Sequence, residues 1–318
     1  MKKSTGIFIG KKTGELCLTL FIVTMISFIL IQFSPIDAAT AYARRNAFAI
    51  TPDTINSLRE KMGLNAPLPV QYFNWIADSI RLDFGTSYVN GRDVFTEVTN
   101  AFGITASIVL VSAVIQAIGV LIVGCICYGF RRNWVGRVLN FICIAGISIP
   151  AFFFAGTFID IFAVRFQWMS VAGNTGLMRY FPAALCLSIG GIAFFGQLLA
   201  GNINKGMTEE SAVYSRCRGL TEKRIMLFHV LPGAIYGLLP NFMQMLGLCM
   251  AGSMIVERIF SLPGLGYLIV DSVLFRDSPT IHATILYLAF SLVIFNILSD
   301  IMKRILQGGS VNSEVAAK

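Results

Sequence analysis

Charge is scarce in this chain. Only 13% of its 318 residues are Asp, Glu, Lys or Arg, against about 25% in a soluble domain, which argues against a large water-facing surface. Histidine is scarcer still. His229 and His282 are the only two, so no HExxH zinc site exists. There is no GxSxG nucleophile elbow and no GxxxxGK[ST] phosphate loop. The nearest string to the latter, "TGIFIGKKTG", lacks the first Gly and the GK[ST] ending, and it precedes an apolar run rather than following a strand. No CxxC pair occurs among the seven cysteines, almost all of which lie in apolar segments. They read as small buried thiols. The sequence therefore predicts no catalytic residue, no cofactor-binding residue and no metal ligand, and it leaves any energy for work to a partner or an ion gradient.

What the chain has is oil. Hydrophobic residues make up 55% and the mean hydropathy is +0.71. Six apolar segments run at about 16–33, 103–130, 138–164, 181–201, 234–256 and 281–301. Segments near 20 residues match the hydrocarbon thickness of a bilayer, so the expected fold class is an all-α integral membrane protein with six transmembrane helices. The first, "LCLTLFIVTMISFILIQF", has 18 uncharged residues, longer than the roughly 7–15 of a signal-peptide core. It reads as a retained span.

The net charge of +8 raises the question of nucleic acid. Its distribution answers it. With the N-terminus in the cytoplasm, Lys2, Lys3, Lys11, Lys12, Arg131, Arg132, Arg137, Lys205, Arg216, Arg218, Lys223, Arg224, Lys303, Arg304 and Lys318 all fall inside. The short outer loops hold only Arg165, Arg179, Arg258 and Arg276. That is the positive-inside pattern, and it predicts cytoplasmic N- and C-termini, contact with lipid and no nucleic-acid partner.

The division expected is 1–33 for the N-terminus and first span, 34–100 for an extracytoplasmic helical segment, 101–308 for the transmembrane core and 309–318 for a cytoplasmic tail. In the second of these, "TPDTINSLREKMG" predicts a helix capped by Thr51, with Pro52 at its first position and Gly63 past its end. Ile55, Leu58 and Met62 recur at helical spacing. A second helix, "VQYFNWIADSIRLDFG", places Val70, Phe73, Ile76 and Ile80 along one side. Two residues stand out within the spans. Asp160 is the clear intramembrane ionisable group, either functional or close enough to the boundary to reach water or Arg165. Pro150 predicts a kink in the third span, because its ring removes a backbone bond. Both are candidates for the translocation path.

The most informative polar stretch is "AVYSRCRGLTEKRIMLFHVLPG" in the coupling loop 202–232 between the fourth and fifth spans. Residues from Glu209 to Cys217 predict a short helix ended by Gly219, which tolerates the left-handed conformation. Thr221 caps the next helix, and Pro232 marks the start of the fifth span. Gly219 followed by Leu231-Pro232 has the spacing of the "EAA" loop of ABC importer permeases. The fuller string resembles the binding-protein-dependent dipeptide, oligopeptide and nickel permease family. "GISIPAFF" is similar to that family's third span, "VERIFSLPGLGYLIVDSVLFRDSPTI" to its last outer loop, and the 51–94 region to its first outer segment. The chain departs from the general motif where Glu-Ala-Ala is replaced by Val213, Tyr214 and Ser215. Its acidic residues lie upstream, at Glu209 and Glu210.

The resemblance implies a non-catalytic permease subunit in the inner membrane of a bacterial cell. Its partners would be a second permease chain, two ATP-binding subunits carrying ATP and Mg, and an extracytoplasmic solute-binding protein. The short helix would dock in a groove of the ATPase. Arg216 and Arg218 would bond there while Leu220 anchors the helix to the bundle. Pro263, Gly264 and Gly266 would belong to an outer gate. The cargo class would be peptides or nickel and metallophore chelates, the short loop at 165–180 being more like the nickel or metallophore branch. An ion-coupled secondary transporter and a non-transporting membrane sensor or scaffold are the rival readings.

Overall fold

The computed structural model describes residues 2–33, 37–46, 50–168 and 176–316. The centre of the 165–180 loop lies outside these. Thirteen α-helices follow one another: α1 Lys2–Gln32, α2 Ala38–Arg45, α3 Pro52–Lys61, α4 Leu68–Ile80, α5 Val94–Phe130, α6 Trp134–Ser148, α7 Ala151–Phe158, α8 Phe181–Gly206, α9 Glu210–Cys217, α10 Glu222–Ile225, α11 Leu231–Ile259, α12 Leu265–Phe275 and α13 Ser278–Ala316. Wider π turns occupy Ile159–Arg165 and Met226–Val230. Among the described residues only a lone bridge, Thr86 to Asp93, is extended pairing.

Among the described residues five helical stretches are long and apolar enough to cross a membrane, Gly10–Ile31, Val94–Phe130, Phe181–Gly206, Glu222–Ile259 and Ser278–Leu306, or six if the bent pair Trp134–Ser148 and Ala151–Arg165 is one span. The chain is an all-α integral membrane protein. The third expected span is not a kinked rod. Trp134–Ser148 and Ala151–Arg165 meet at 95°, because Pro150 has no N–H and forces Ile149 out of the helical region to ψ 124°. Each arm is 15 residues, about 22 Å at 1.5 Å per residue. Neither arm alone matches a bilayer's thickness.

Two compact units form: Met1–Thr105 with Leu262–Val293, and Ala106–Ser261 with Ile294–Lys318. In the first, α3 has the termini its sequence predicts. The Thr51 side chain accepts from the Thr54 N–H. Gly63, at φ 68°, lets its own N–H and that of Leu64 turn back to Glu60 and Arg59. Helix α4 forms where its sequence predicts it, and most of its apolar stripe faces outward. Val70, Phe73 and Ile80 are 46%, 62% and 78% exposed, Ile76 is half-buried, and the one buried residue of the helix is Tyr72. Its hydroxyl lies 2.9 Å from that of Thr24 and donates to the Phe21 carbonyl, and its ring meets Phe28 edge-on at 5.2 Å. An aromatic with a polar tip gains more from that buried site than a plain aliphatic does. Phe28 in turn stacks on His282 at 3.7 Å, and Ser27 bonds the His282 Nδ1 at 2.8 Å.

In the second unit α8 is the hub, packing against α6, α7 and α11. It also meets α5 closely. A Cβ on Gly119 would come within 2.6 Å of Ile192, on Gly124 within 2.7 Å of Leu199, and on Gly196 within 2.7 Å of Val123. Small residues on both helices let the backbones approach where dispersion, not water exclusion, must hold them. The pattern on α5 is inside out. Leu110, Val114 and Ile118 are exposed, while Ser112 and Gln116 are fully buried. The Gln116 amide donates to Ser112, whose hydroxyl is 2.9 Å from that of Ser188. An apolar exterior around a bonded polar seam suits lipid surroundings.

Candidate coupling site

The polar stretch between the fourth and fifth spans folds into an elbow in the second unit. Helix α8 ends where Gly206 touches Val230; a Cβ there would come within 2.6 Å. Glu209 supplies the extended N-cap backbone of α9 without a side-chain bond. Glu210 sits in the first turn, where a carboxylate suits the partial positive charge of the helix start. One face of α9 is buried through Ala212 and Ser215. The other presents Val213 and Tyr214, 48% and 67% exposed.

At the far end Gly219 adopts φ 78°. Its N–H donates to the Arg216 carbonyl at 2.8 Å, and the Leu220 N–H reaches Ser215 at 3.3 Å. These two bonds are a Schellman closure, and the left-handed residue it needs is the glycine. Leu220 then turns inward against a cluster of Ile203, Met207, Ala212, Ile225 and Val230. The elbow thus rests on a continuous apolar seat rather than hanging from the bundle. Thr221 occupies the N-cap of α10 by backbone only; its hydroxyl makes no cap bond. The helical stretch that carries the fifth apolar segment starts upstream of Pro232, at Glu222. The π turn makes that feasible. The Leu231 N–H bonds back to Met226, five residues away, which gives room before the missing N–H of Pro232.

Arg216 also has a partner within the chain. Its Nε and a terminal nitrogen fork onto both carboxylate oxygens of Glu222 at 2.6 and 3.1 Å. That bond raises the guanidinium's already high pKa. Arg218 stays exposed, 5.9 Å from the Tyr214 ring.

Pro263, Gly264 and Gly266, the residues expected at an outer gate, lie in the first unit. Gly264 is the N-cap of α12 and has no side chain to offer. The hydroxyl of Thr105 on α5 takes that place, accepting from the Leu265 N–H at 2.8 Å. Gly264 and Gly266 are buried and Pro263 is exposed. The other end of α12 closes with Arg276 in the left-handed region at φ 59°. Next to it, the buried Asp277 accepts from the Ser87 hydroxyl at 2.5 Å, the Tyr88 N–H at 2.9 Å and the Thr280 hydroxyl at 2.8 Å. Arg45 bonds the carbonyls of Tyr88 and Phe275. Both ends of α12 are tied down by groups distant in sequence.

Asp160 pairs with Arg165 at 2.9 Å on an exposed surface. The π winding brings residues five apart onto one face. Contrary to the sequence expectation, Asp160 is not the sole carboxyl in the spans. Glu257 on α11 is fully buried and accepts from Ser253 at 2.7 Å. It lies at the end of an apolar run, directly before Arg258, where the sequence reads it as part of the outer loop. Asp277 and Thr105 also escape sequence reasoning, because Ser87 lies 190 residues from the first and Leu265 160 residues from the second.

Sequence comparison decides the class of transporter. Residues 120–309 match the profile of the "Binding-protein-dependent transport system inner membrane component", and residues 7–109 match that family's N-terminal membrane component. The chain belongs to this permease family. Among its relatives are proteins named glutathione transport system permease protein GsiC. Those from Escherichia coli (strain K12) and Shigella boydii serotype 4 (strain Sb227) are each 30% identical over 295 residues, spanning 93% of this chain and 95% of theirs. The binding-protein-dependent permease reading accounts for a chain rich in spans and free of nucleotide motifs: it is a membrane component of an import system.

Proposed function

We propose that this permease is the moving, non-catalytic subunit of an ATP-driven importer, with residues 209–232 as its coupling element. The observation that carries this is the elbow: a short helix, closed by a left-handed glycine, seated on apolar residues and showing Val213 and Tyr214 outward. Such an element transmits force because it cannot swivel. Two ATP-binding subunits bind ATP and Mg and push on α9. A second related permease completes the pore, and a solute-binding protein delivers cargo to the outer face, where Pro263, Gly264 and Gly266 belong to the gate. Asp160 and Pro150 lie by the path, and the bend at Pro150 gives that span two arms able to move separately. The cargo is a peptide or a nickel or metallophore chelate. Relatives named for glutathione support a small peptide.

The test is uptake of labelled glutathione and short peptides into vesicles holding the assembled transporter and its binding protein. Uptake should stop when ATP is withdrawn and survive a protonophore. Uptake that ignores ATP but collapses with the proton gradient would make the chain a secondary transporter.

Both termini and the elbow face the cytoplasm in this reading. The exposed thiol of Cys217 is a native reporter. With the chain alone in the membrane, a membrane-impermeant maleimide should label Cys217 in inside-out vesicles only. Labelling in right-side-out vesicles reverses the orientation.

A further inference from the structure

Helix α4 lies in the segment read as extracytoplasmic, yet it packs alongside the first span rather than beyond its end. That span covers Gly10–Ile31. The Tyr72 ring meets Phe28 at 5.2 Å and Phe21 at 5.9 Å, and its hydroxyl donates to the Phe21 carbonyl. Phe21 is ten positions before Ile31, about 15 Å down the axis at 1.5 Å per residue. Trp75, one turn further along α4, meets Phe28 at 5.4 Å. These contacts seat α4 beside residues of the span.

At 3.6 residues per turn the helix has three faces. Tyr72 and Trp75 face α1. Gln71, Asn74 and Asp78 line an open cavity of about 1450 Å³. Val70, Phe73, Ala77 and Ile80 form the third face, which is exposed and carries no charge. This stripe continues onto the span. Phe21, 43% exposed, adjoins Tyr72, and the Tyr72 ring lies 5.8 Å from that of Phe73.

The backbone of α4 also suits a dry setting. Pro69 has no N–H, and the N–H groups of Val70 and Gln71 both donate to the Pro67 carbonyl. The Gln71 amide donates to the carbonyls of Leu64 and Ala66 at 3.1 and 2.7 Å. At the far end Arg81, Leu82 and Asp83 return their N–H groups to Asp78 and Ser79. Backbone groups left without partners are costly beside hydrocarbon.

We propose that α4 is an interfacial helix whose stripe of Val70, Phe73, Ala77 and Ile80 is immersed in lipid acyl chains beside the first span. It enters the leaflet on the side where the segment emerges. An amphipathic helix of this kind lies with its apolar face in the acyl boundary and its polar face turned away, which here is the face on the cavity. The segment is thereby anchored on the bilayer instead of standing clear of it. Lipid is the occupant because the stripe is continuous with the exposed apolar surface of a span. The inference rests on the first span crossing the bilayer, not on the coupling role of α9.

The experiment reads how often nitroxide labels collide with oxygen, which concentrates in lipid, and with a water-soluble nickel chelate. The full-length permease, with the exposed Cys17 and Cys217 changed to serine, is reconstituted in phospholipid vesicles. Labels are placed singly through Phe73→Cys, Ile80→Cys, Asn74→Cys and Asp78→Cys, and the signal of the parent is subtracted. Val70→Cys replaces any stripe variant that fails to reconstitute. Labels at 73 and 80 should favour oxygen, at a depth of about 5–10 Å below the headgroups. Labels at 74 and 78 should favour the nickel chelate. Nickel reaching 73 and 80 as freely as 74 and 78 puts the stripe in water and overturns the proposal. Exclusion of both reagents from 73 and 80, in the permease alone or assembled with its partners, means that protein covers the stripe and overturns it equally.

Discussion

Replacing Gly219 by valine is expected to uncouple ATP hydrolysis from transport while leaving the protein in the membrane. The position allows a clean reading. No atom lies within 4 Å of where a Cβ would sit, so a side chain there meets open space. Any effect comes from the backbone, which is held at φ 78°. A left-handed conformation costs an ordinary residue about 1–2 kcal/mol, and a β-branched one more. The Schellman closure of α9 should then open, releasing the bonds to Arg216 and Ser215. Solute moved per ATP should fall about tenfold for Gly219→Val, the change that roughly 1.4 kcal/mol produces. Gly219→Ala should fall between. Gly219→Asn should stay within about twofold of wild type, since asparagine tolerates the left-handed region. An order of effects that follows side-chain size rather than left-handed tolerance would contradict the account.

Asp277→Ala should be the most destabilising single change in the first unit. The carboxylate is 2% exposed and accepts from Ser87, Tyr88 and Thr280. Removing it leaves two hydroxyls and an N–H without that acceptor, and a buried group stripped of its partner costs about 1–3 kcal/mol. The hydroxyls can rotate to other acceptors, so about 3 kcal/mol in total is expected, or roughly 4–5 °C in melting temperature for a chain of 318 residues. Asp277→Asn should cost less than half as much, because an amide keeps one acceptor and can donate to a hydroxyl oxygen. Burial, then the Asp277 charge, pushes the Tyr88 phenol up to about 12, so that neighbour stays neutral at working pH. Since Asp277 sits beside the end of α12, the alanine variant should also loosen the proposed outer gate, read as faster hydrogen exchange over 265–275. An unshifted melting curve would mean that the carboxylate is solvated.

Local rules are legible in the sequence; partnerships across distance are not. Thr51, Pro52 and Gly63 announce α3, and Gly219 announces the end of α9, because capping depends on a handful of adjacent residues. The lengths of the spans follow from bilayer thickness. Periodicity gives the apolar stripe of α4 but not which of its residues is buried, because it treats every apolar residue alike. It cannot tell that Tyr72 is drawn inward by Thr24 and Phe28 while Phe73 stays outside. Pro150 reads as a bend and is a right-angled break, since a lone proline does not reveal whether neighbouring helices support a continuous rod. The sequence does not show that the turn at Gly219 folds Glu222 back onto Arg216. That contact depends on the turn's geometry, which spacing alone does not give.

The most direct measurement uses a photo-crosslinking residue placed at position 214, on the exposed face of α9. In membranes containing the assembled transporter, illumination should join the permease to an ATP-binding subunit, and Gly219→Val should sharply lower that yield. Crosslinks only to lipid or to the permease itself, from a transporter that still hydrolyses ATP and moves solute, would show that the force enters somewhere else.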